Sequence, residues 1–288
     1  MSGFGFRRKW LEFNRCHACR GGLTVLSQIL SETTMPPLPP EILDSILEYL
    51  VDRPITLKTC CLISKLWVPR VQRHLFARVR LGTPRSPIKL WKKTFPDPSN
   101  SPAHHTRTLT IFGTSVITAA DMGVSNWIHP FHNLIHLELS HVYRAPLFTL
   151  YGLSPTLRSL SLRCTPFDSG LICSFPLLED LALVAAFSFI DVDRWNATLA
   201  SPKLTGTLIL EGRGEARSAT RRLPVLSGGL HFSKISTKFC NEEAEPVTKL
   251  VSMCSKTLEK LTLFYHPSAF PSTPVTSQNL TIDCICRH

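Results

Sequence analysis

Residues 134–139 have the sequence LIHLEL, and the same Leu-x-x-Leu-x-Leu pattern returns along the chain. The other full copies are LRSLSL at 157–162, LEDLAL at 178–183 and LEKLTL at 258–263. Looser copies, LTGTLIL, TRTLTI and FSKIST, begin at Leu204, Thr106 and Phe232. Successive copies start 21 to 28 residues apart, a spacing that fits one strand and one returning segment. The pattern predicts an irregular repetitive α/β region with a parallel sheet, and an ordinary α/β sheet is the alternative.

The stretch LPPEILDSILEYL, which begins at residue 38, has the pattern of an amphipathic helix. Its apolar residues follow the i, i+3, i+4, i+7 spacing of one helix face. They are Leu43, Ile46, Leu47 and Leu50. Pro39 and Pro40 suit the start of this helix, where a missing N–H has no cost. Thr56 is a candidate N-cap for a second helix, and Pro69 separates that helix from a third one.

Composition sets the predicted boundaries around these two regions. Residues 1–35 show no sustained period, and we expect a flexible extension there. The helical block follows over 36–81. Residues 82–105 contain five prolines among Ser, Gly and Asn, which predicts a Pro-rich linker with little regular structure. The repeat region covers 106–288, and within it EGRGEARSATRRLP at 211–224 has the composition of a mobile loop.

Positive charge is concentrated in one part of the chain. The formal net charge is +11, and the segment from Arg53 to Lys93 contains eleven Lys or Arg residues and no Asp or Glu. Such a block favours an acidic protein surface or a nucleic acid, and a solvated basic face is the alternative.

The sequence contains no run of about 18 apolar residues, so it predicts no membrane span. The N-terminus lacks the apolar core of a secretory signal. We therefore expect reduced cysteines and a cytoplasmic or nuclear protein.

The motifs of common catalytic and cofactor sites are missing from the sequence. Cys16 and Cys19 form one close pair and Cys284 and Cys286 another, but a zinc site usually needs two such pairs close together. We find no phosphate-binding loop, no G-x-S-x-G and no H-E-x-x-H. The sequence therefore predicts no metal, no cofactor and no catalysis by this chain.

The stretch LPPEILDSILEYLVDRPITLKTCCLISKLWVPRVQRHLFARVRL, residues 38–81, resembles an F-box domain. The match includes the Leu-Pro start, the apolar helix and the CCLISKLW segment at the family's distance. The chain after the linker is similar to leucine-rich repeats. Together they resemble the F-box/leucine-rich-repeat proteins abundant in fungi: a small three-helix F-box followed by an irregular α/β repeat solenoid with a parallel sheet.

This resemblance implies a substrate-recognition adaptor of a Skp1–cullin–F-box ubiquitin ligase. The F-box would bind a Skp1-like adaptor and, through it, a cullin, while the chemistry would take place on other subunits. The residues that the resemblance places against Skp1 are Leu38, Pro39, Ile42, Leu43, Ile46, Leu50, Leu62, Ile63, Ser64 and Trp67. The alternatives are a non-ligase F-box scaffold protein and a basic nucleic-acid-binding protein; the second rests on the positive charge between Arg53 and Lys93.

The repeats would hold an unknown protein substrate. Side chains alternate along a strand, so the leucines point inward and the residues between them face outward. The expected substrate-binding residues are His136, Glu138, Ser159, Ser161, Arg163, Asp180, Lys260 and Phe264; a plain solvated sheet is the alternative. The family's Asn or Cys three places after the third Leu is replaced here. These positions hold Val142, Thr165, Ala186 and His266, so we expect irregular curvature.

Overall fold

The computed structural model describes most of the chain between residues 39 and 283. The described ranges are 39–63, 67–83, 88–113, 127–142, 147–151, 153–166, 169–186, 202–212, 215–227, 230–239, 243–265 and 278–283. The predicted extension at 1–35 lies outside these residues.

Three helices form the N-terminal block. They are α1 (Pro40–Tyr49), α2 (Pro54–Ile63) and α3 (Trp67–Leu75). A small cluster of buried residues lies between them: Leu47, Leu57, Cys60, Cys61 and Val71. Arg70 of α3 forms an ion pair with Asp44 of α1 and donates a hydrogen bond to the Pro40 carbonyl at 3.2 Å. The hydrogen bond from Arg70 lowers the pKa of Asp44, so this carboxylate stays charged and links the first helix to the third.

Within the described ranges, nine strands form one sheet in chain order. They are β1 (Arg78–Leu81), β2 (Thr108–Phe112), β3 (His136–Ser140), β4 (Ser159–Arg163), β5 (Asp180–Val184), β6 (Thr207–Glu211), β7 (Lys234–Phe239), β8 (Lys260–Tyr265) and β9 (Gln278–Asp283). The first eight are parallel, and β9 is antiparallel to β8. Each of the seven sequence copies contains one strand. The prediction of a mixed α/β fold with a parallel sheet is therefore confirmed.

The repeat leucines build the main core. The second and third Leu of each full copy point away from the accessible side of the sheet, and most are fully buried. Examples are Leu137, Leu139, Leu160, Leu162, Leu181 and Leu183. Four further helices accompany the strands: α4 (Ile88–Thr94), α5 (Ser169–Cys173), α6 (Glu215–Ser227) and α7 (Ala244–Met253). None of the helices among the described residues has the length and apolar character to cross a membrane.

The segment 82–105 has more regular structure than its prolines suggest. It contains α4 and two short 3₁₀ helices, Pro98–Asn100 and Pro102–His105. Proline lies at the start of each 3₁₀ helix, where it needs no N–H partner, and Asp97 and Ser101 cap these starts with their side chains. Trp91 is 1% exposed. Pro98 and Pro102 thus mark the starts of short helices. The composition of 82–105 had predicted little regular structure there.

The segment 211–224 was expected to be a mobile loop, and that expectation is wrong for most of its length. Helix α6 begins at Glu215 and continues past Pro224. Ala216, Ala219 and Leu223 are buried on one face of it. Their spacing of three and four residues is the helical signal that the four arginines of this segment obscured.

The turns after β3, β4 and β5 share one backbone conformation. His141, Cys164 and Ala185 each follow a strand with positive φ, at 58°, 45° and 47°. The N–H of each donates to a carbonyl of the next strand, for example Cys164 to Val184 at 2.7 Å. These left-handed residues turn the chain at the same level after each of the three strands, so the three turns lie side by side.

Candidate protein-binding surfaces

Helix α1 has two apolar faces, and only one of them is buried. Leu43 and Leu47 lie inside, with 7% and 0% of their surface exposed. Ile42, Ile46 and Tyr49 lie outside, with 49%, 36% and 77% exposed. These three have the i, i+4, i+7 spacing of a second helical stripe. The buried cluster of the block does not include them.

The exposed stripe continues into the next residues of the chain. Val51 is 44% exposed and Ile55, in the first turn of α2, is 75% exposed. The Arg53 guanidinium lies 5.8 Å from the centre of the Tyr49 ring. We call Ile42, Ile46, Tyr49, Val51 and Ile55 the apolar face. Isolated exposed apolar residues are ordinary, but a group of this kind on one small block is typical of an interaction surface.

The structure divides the residues that the F-box resemblance placed against Skp1. Pro39, Ile42 and Ile46 are exposed. Leu43 is buried, because the inner stripe of α1 includes it. Leu50 and Trp67 are half-buried and pack against the internal cluster. Leu38 and Ser64 lie outside the described residues, and the described part of α2 does not include the side chains of Leu62 and Ile63.

Sequence reasoning missed three members of the apolar face. Tyr49, Val51 and Ile55 were not among the predicted partner-binding residues, although they are among the most exposed apolar residues described. The spacing of Tyr49 from Ile42 and Ile46 was a usable signal. The inner stripe, which contains more leucines, concealed it.

The second surface is the accessible side of the sheet. We call it the sheet face, and it consists of the side chains at the first, third and fifth positions of β2 to β8. Because parallel strands are in register, these positions form three rows across the sheet. All eight predicted substrate-binding residues belong to it. Two of its other members, Thr110 and Ser140, are buried at 6% and 5% exposure.

The register brings six predicted residues together and separates two. His136, Ser159 and Asp180 are neighbours in the first row, and Glu138 and Ser161 are neighbours in the second. Arg163 in the third row reaches Glu138 with its Nε at 2.8 Å. The two that stand apart are Lys260 and Phe264, both on β8, three strands from β5.

The acidic residues of the sheet face already have partners. Glu138 binds Arg163 and accepts a hydrogen bond from Thr110 at 3.3 Å. Asp180 accepts the backbone N–H of Thr207 at 2.6 Å. On β6 and β7, Glu211 and Lys238 form an ion pair at 3.2 Å. Glu138 and Glu211 are thus paired with cations, whereas the partner of Asp180 is a neutral N–H.

Two titratable groups outside these surfaces, Glu215 and Cys254, have pKa values that burial raises. Burial raises the pKa of Glu215 to about 7, although its carboxylate accepts backbone hydrogen bonds from its own residue and from Ala186. Burial also raises the pKa of the Cys254 thiol to about 11, which makes it a poor nucleophile at neutral pH. Within the described ranges, no three His, Cys, Asp or Glu side chains are grouped as metal ligands. Cys16, Cys19, Cys284 and Cys286 lie outside those ranges.

Comparison with known proteins identified no relative: no family model matches the chain, and no significant match was found among curated proteins or solved structures.

Proposed function

We propose that this protein is the substrate-recognition adaptor of a Skp1–cullin–F-box ubiquitin ligase. In this proposal the N-terminal block is an F-box that binds a Skp1-like adaptor, and the strand-and-return region is a leucine-rich-repeat solenoid that holds a protein substrate. One observation carries the proposal. The apolar face is exposed on a helical block whose described residues also form a buried cluster of their own.

The apolar face has the features of a helix-in-groove contact. Such contacts use apolar anchors at i, i+4 and i+7, which is the spacing of Ile42, Ile46 and Tyr49. Isoleucine and tyrosine side chains gain most from burial when a partner covers them together. The neighbouring sequence is basic from Arg53 onward, which suits a partner with an acidic surface. These features support docking by this block on a Skp1-like protein.

The proposal assigns no catalytic step to this chain. Its contribution would be proximity: the block holds the ligase, the sheet face holds the substrate, and ubiquitin transfer takes place on other subunits in the cytoplasm or nucleus. Of the five described cysteines, Cys164 is half-buried and four are buried: Cys60, Cys61, Cys173 and Cys254.

Recovery of the full chain with purified Skp1 tests the proposal. Ile42→Asp and Ile46→Asp place a charge on the apolar face and should each reduce Skp1 recovery at least tenfold. Leu177→Asp is the matched control, because Leu177 is 45% exposed but lies in the repeat region. Circular dichroism checks that each variant folds. Unchanged recovery with both face variants would remove the adaptor proposal.

Two further measurements separate the alternatives. An adaptor brings down a cullin together with Skp1, whereas a non-ligase scaffold brings down Skp1 alone. Retention of RNA or DNA that falls steeply with salt, without Skp1 binding, would favour a nucleic-acid binder instead.

A further inference from the structure

The charge of the sheet face is uneven, and its free positive charge lies at the C-terminal end. Lys234 and Lys260 are first-row neighbours on β7 and β8, and both are exposed. Neither forms an ion pair within the described part of the chain. The residues flanking Lys234 in its row are Thr207 and Lys260, so no acidic residue lies beside it. Lys260 lies opposite Asp283 in the register of β9, so its positive charge has an acidic neighbour and that of Lys234 does not.

Hydroxyl groups complete this end of the face. Ser236 and Thr262 follow the two lysines in the second row, and both are half-buried. Neighbouring strands are about 4.8 Å apart and alternate residues of one strand about 6.6 Å apart, so the four residues form a compact rectangle. Two ammonium groups and two hydroxyls at the corners of such a rectangle offer donors to carboxylate oxygens.

An apolar group lies next to this rectangle. Ala182, Val184 and Ile209 are neighbours on β5 and β6 and are partly exposed on the sheet face. From the strand spacing, the Ile209 and Lys234 Cα atoms are about 8 Å apart and the Ile209 and Lys260 Cα atoms about 12 Å apart. The side chains at i, i+2 and i+4 of an extended peptide point the same way and are about 7 Å and 14 Å apart. The Lys234 and Lys260 Cα atoms are about 4.8 Å apart, and their long flexible side chains can spread to reach two carboxylates about 7 Å apart. An extended segment with an apolar residue and then two acids at alternate positions therefore suits the surface.

We propose that the sheet face recognises an acidic segment of the substrate with the pattern apolar-x-acid-x-acid. The apolar side chain packs on Ala182, Val184 and Ile209, and the two carboxylates bind Lys234 and Lys260. This inference rests on the proposed function only in taking the sheet face as the surface that holds the substrate.

Charge complementarity favours a protein segment over a nucleic acid. A nucleic-acid backbone needs a continuous basic track. Here the basic surface is short, because Lys238 on β7 is paired with Glu211 on β6, and β5 carries Asp180. Lysines are point charges that suit single carboxylates, and the nearest arginine of the face, Arg163, is already paired with Glu138.

The test uses the full 288-residue chain and a fluorescein-labelled peptide with Leu-Ser-Glu-Ser-Glu between Gly-Ser spacers. Fluorescence anisotropy at low salt should show saturable binding. Replacing both glutamates with glutamine should weaken it at least tenfold, and replacing the leucine with serine should weaken it by a smaller factor. Binding should fall as salt rises, since the lysines are exposed.

Variants of the protein locate the site. Lys234→Gln should weaken peptide binding by about two- to fivefold, the upper part of the range for one exposed charge pair, and Lys260→Gln somewhat less. Lys249→Gln is the matched control, because Lys249 is exposed on α7 and away from the sheet face. Equal binding of the glutamine peptide would overturn the proposal. So would no saturable binding, an equal loss with Lys249→Gln, or preferential binding of a single-stranded oligonucleotide that Lys234→Gln abolishes.

The readouts distinguish this inference from the proposed function. The lysine variants should recover Skp1 normally, and Ile42→Asp should bind the peptide normally. Loss of Skp1 binding alone removes the ligase proposal, and loss of peptide binding alone removes the acidic-segment proposal.

Discussion

Thr165 accepts the backbone N–H of Val142, 23 residues earlier, at 3.3 Å. Its hydroxyl also lies 3.2 Å from the Leu139 carbonyl and 2.9 Å from the Arg163 carbonyl, and the residue is fully buried. One hydroxyl thus joins the turns that follow β3 and β4. Thr165 lies three places after Leu162, the third Leu of its copy, and its hydroxyl bonds the backbone of both turns.

Replacing Thr165 by valine should destabilise the fold. The change keeps the volume but leaves the Val142 N–H without an acceptor, which costs about 1–3 kcal/mol when the group is buried. Urea unfolding should show a lower midpoint with an unchanged m-value. Thr205→Val, at an exposed threonine, should change the midpoint little. Equal midpoints for the two variants would show that the hydroxyl has no structural role.

Glu215 should make stability depend on pH. Its folded pKa of about 7 is above the ordinary 4.5, so the folded state binds more protons between these pH values. The stabilisation is present below about pH 4.5 and is lost as pH rises through about 7, by roughly 3 kcal/mol. Glu215→Gln should therefore be more stable than the parent at pH 8 and should unfold with a weaker pH dependence.

Glu245→Gln provides the control for that measurement, because Glu245 is exposed in the first turn of α7. Its urea midpoint at pH 6 and pH 8 should follow that of the parent. A Glu215→Gln profile that matches the parent over this range would place the pKa of Glu215 near its ordinary value.

Two substitutions in α1 should separate packing from partner binding. Leu47→Ala removes a fully buried side chain and should lower the free energy of unfolding by about 2–5 kcal/mol. Tyr49→Ala removes a side chain that is 77% exposed and should leave stability within about 0.5 kcal/mol of the parent. Tyr49→Ala should instead weaken Skp1 binding, measured by titration calorimetry. A large loss of stability with Tyr49→Ala would argue against a free apolar face.

Trp91 should be as important to stability as a residue of the repeats. Its ring lies 4.7 Å from that of Phe95 and 5.5 Å from that of Phe131, measured between centroids. Trp91→Ala should cost about 3–5 kcal/mol, since it leaves a cavity in the core. Lys89→Ala, on the exposed side of the same helix, should be nearly neutral. If Trp91→Ala left the free energy of unfolding unchanged, the segment 82–105 would contribute little to the core, as expected of a linker.

The strands could be predicted from sequence because their signal repeats. Leu137 and Leu139 alone would fit many structures, but the same spacing at Leu160 and Leu162 and at Leu181 and Leu183 fits few. Parallel pairing follows, because units of one strand and one return keep the same direction.

The segments with no repeat to support them were harder to predict. Proline in 82–105 was taken as a breaker, although Pro98 and Pro102 mark the starts of short helices. Arginines in 211–224 suggested a loop, although Ala216 and Leu223 are buried on a helix. Composition cannot reveal which of these polar segments has a core face to pack against, because that depends on contacts with distant strands.

The candidate surfaces were predicted in part. The sheet face was found because alternation along strands is independent of context. Lys234 was missed because it belongs to the degraded copy that begins at Phe232. On α1, sequence could not tell which of two apolar stripes is internal, since that depends on where α2 and α3 pack.

The short connection between α3 and β1 has a mechanical consequence. The helix ends at Leu75 and the strand begins at Arg78, while Leu75 packs against both the small core of the helical block and the main core. Nothing resembling a tether separates the two, so a protein held on α1 and a protein held on the sheet would keep a fixed distance and orientation. The distance between an enzyme docked on α1 and a target held on the sheet would then be fixed by the fold.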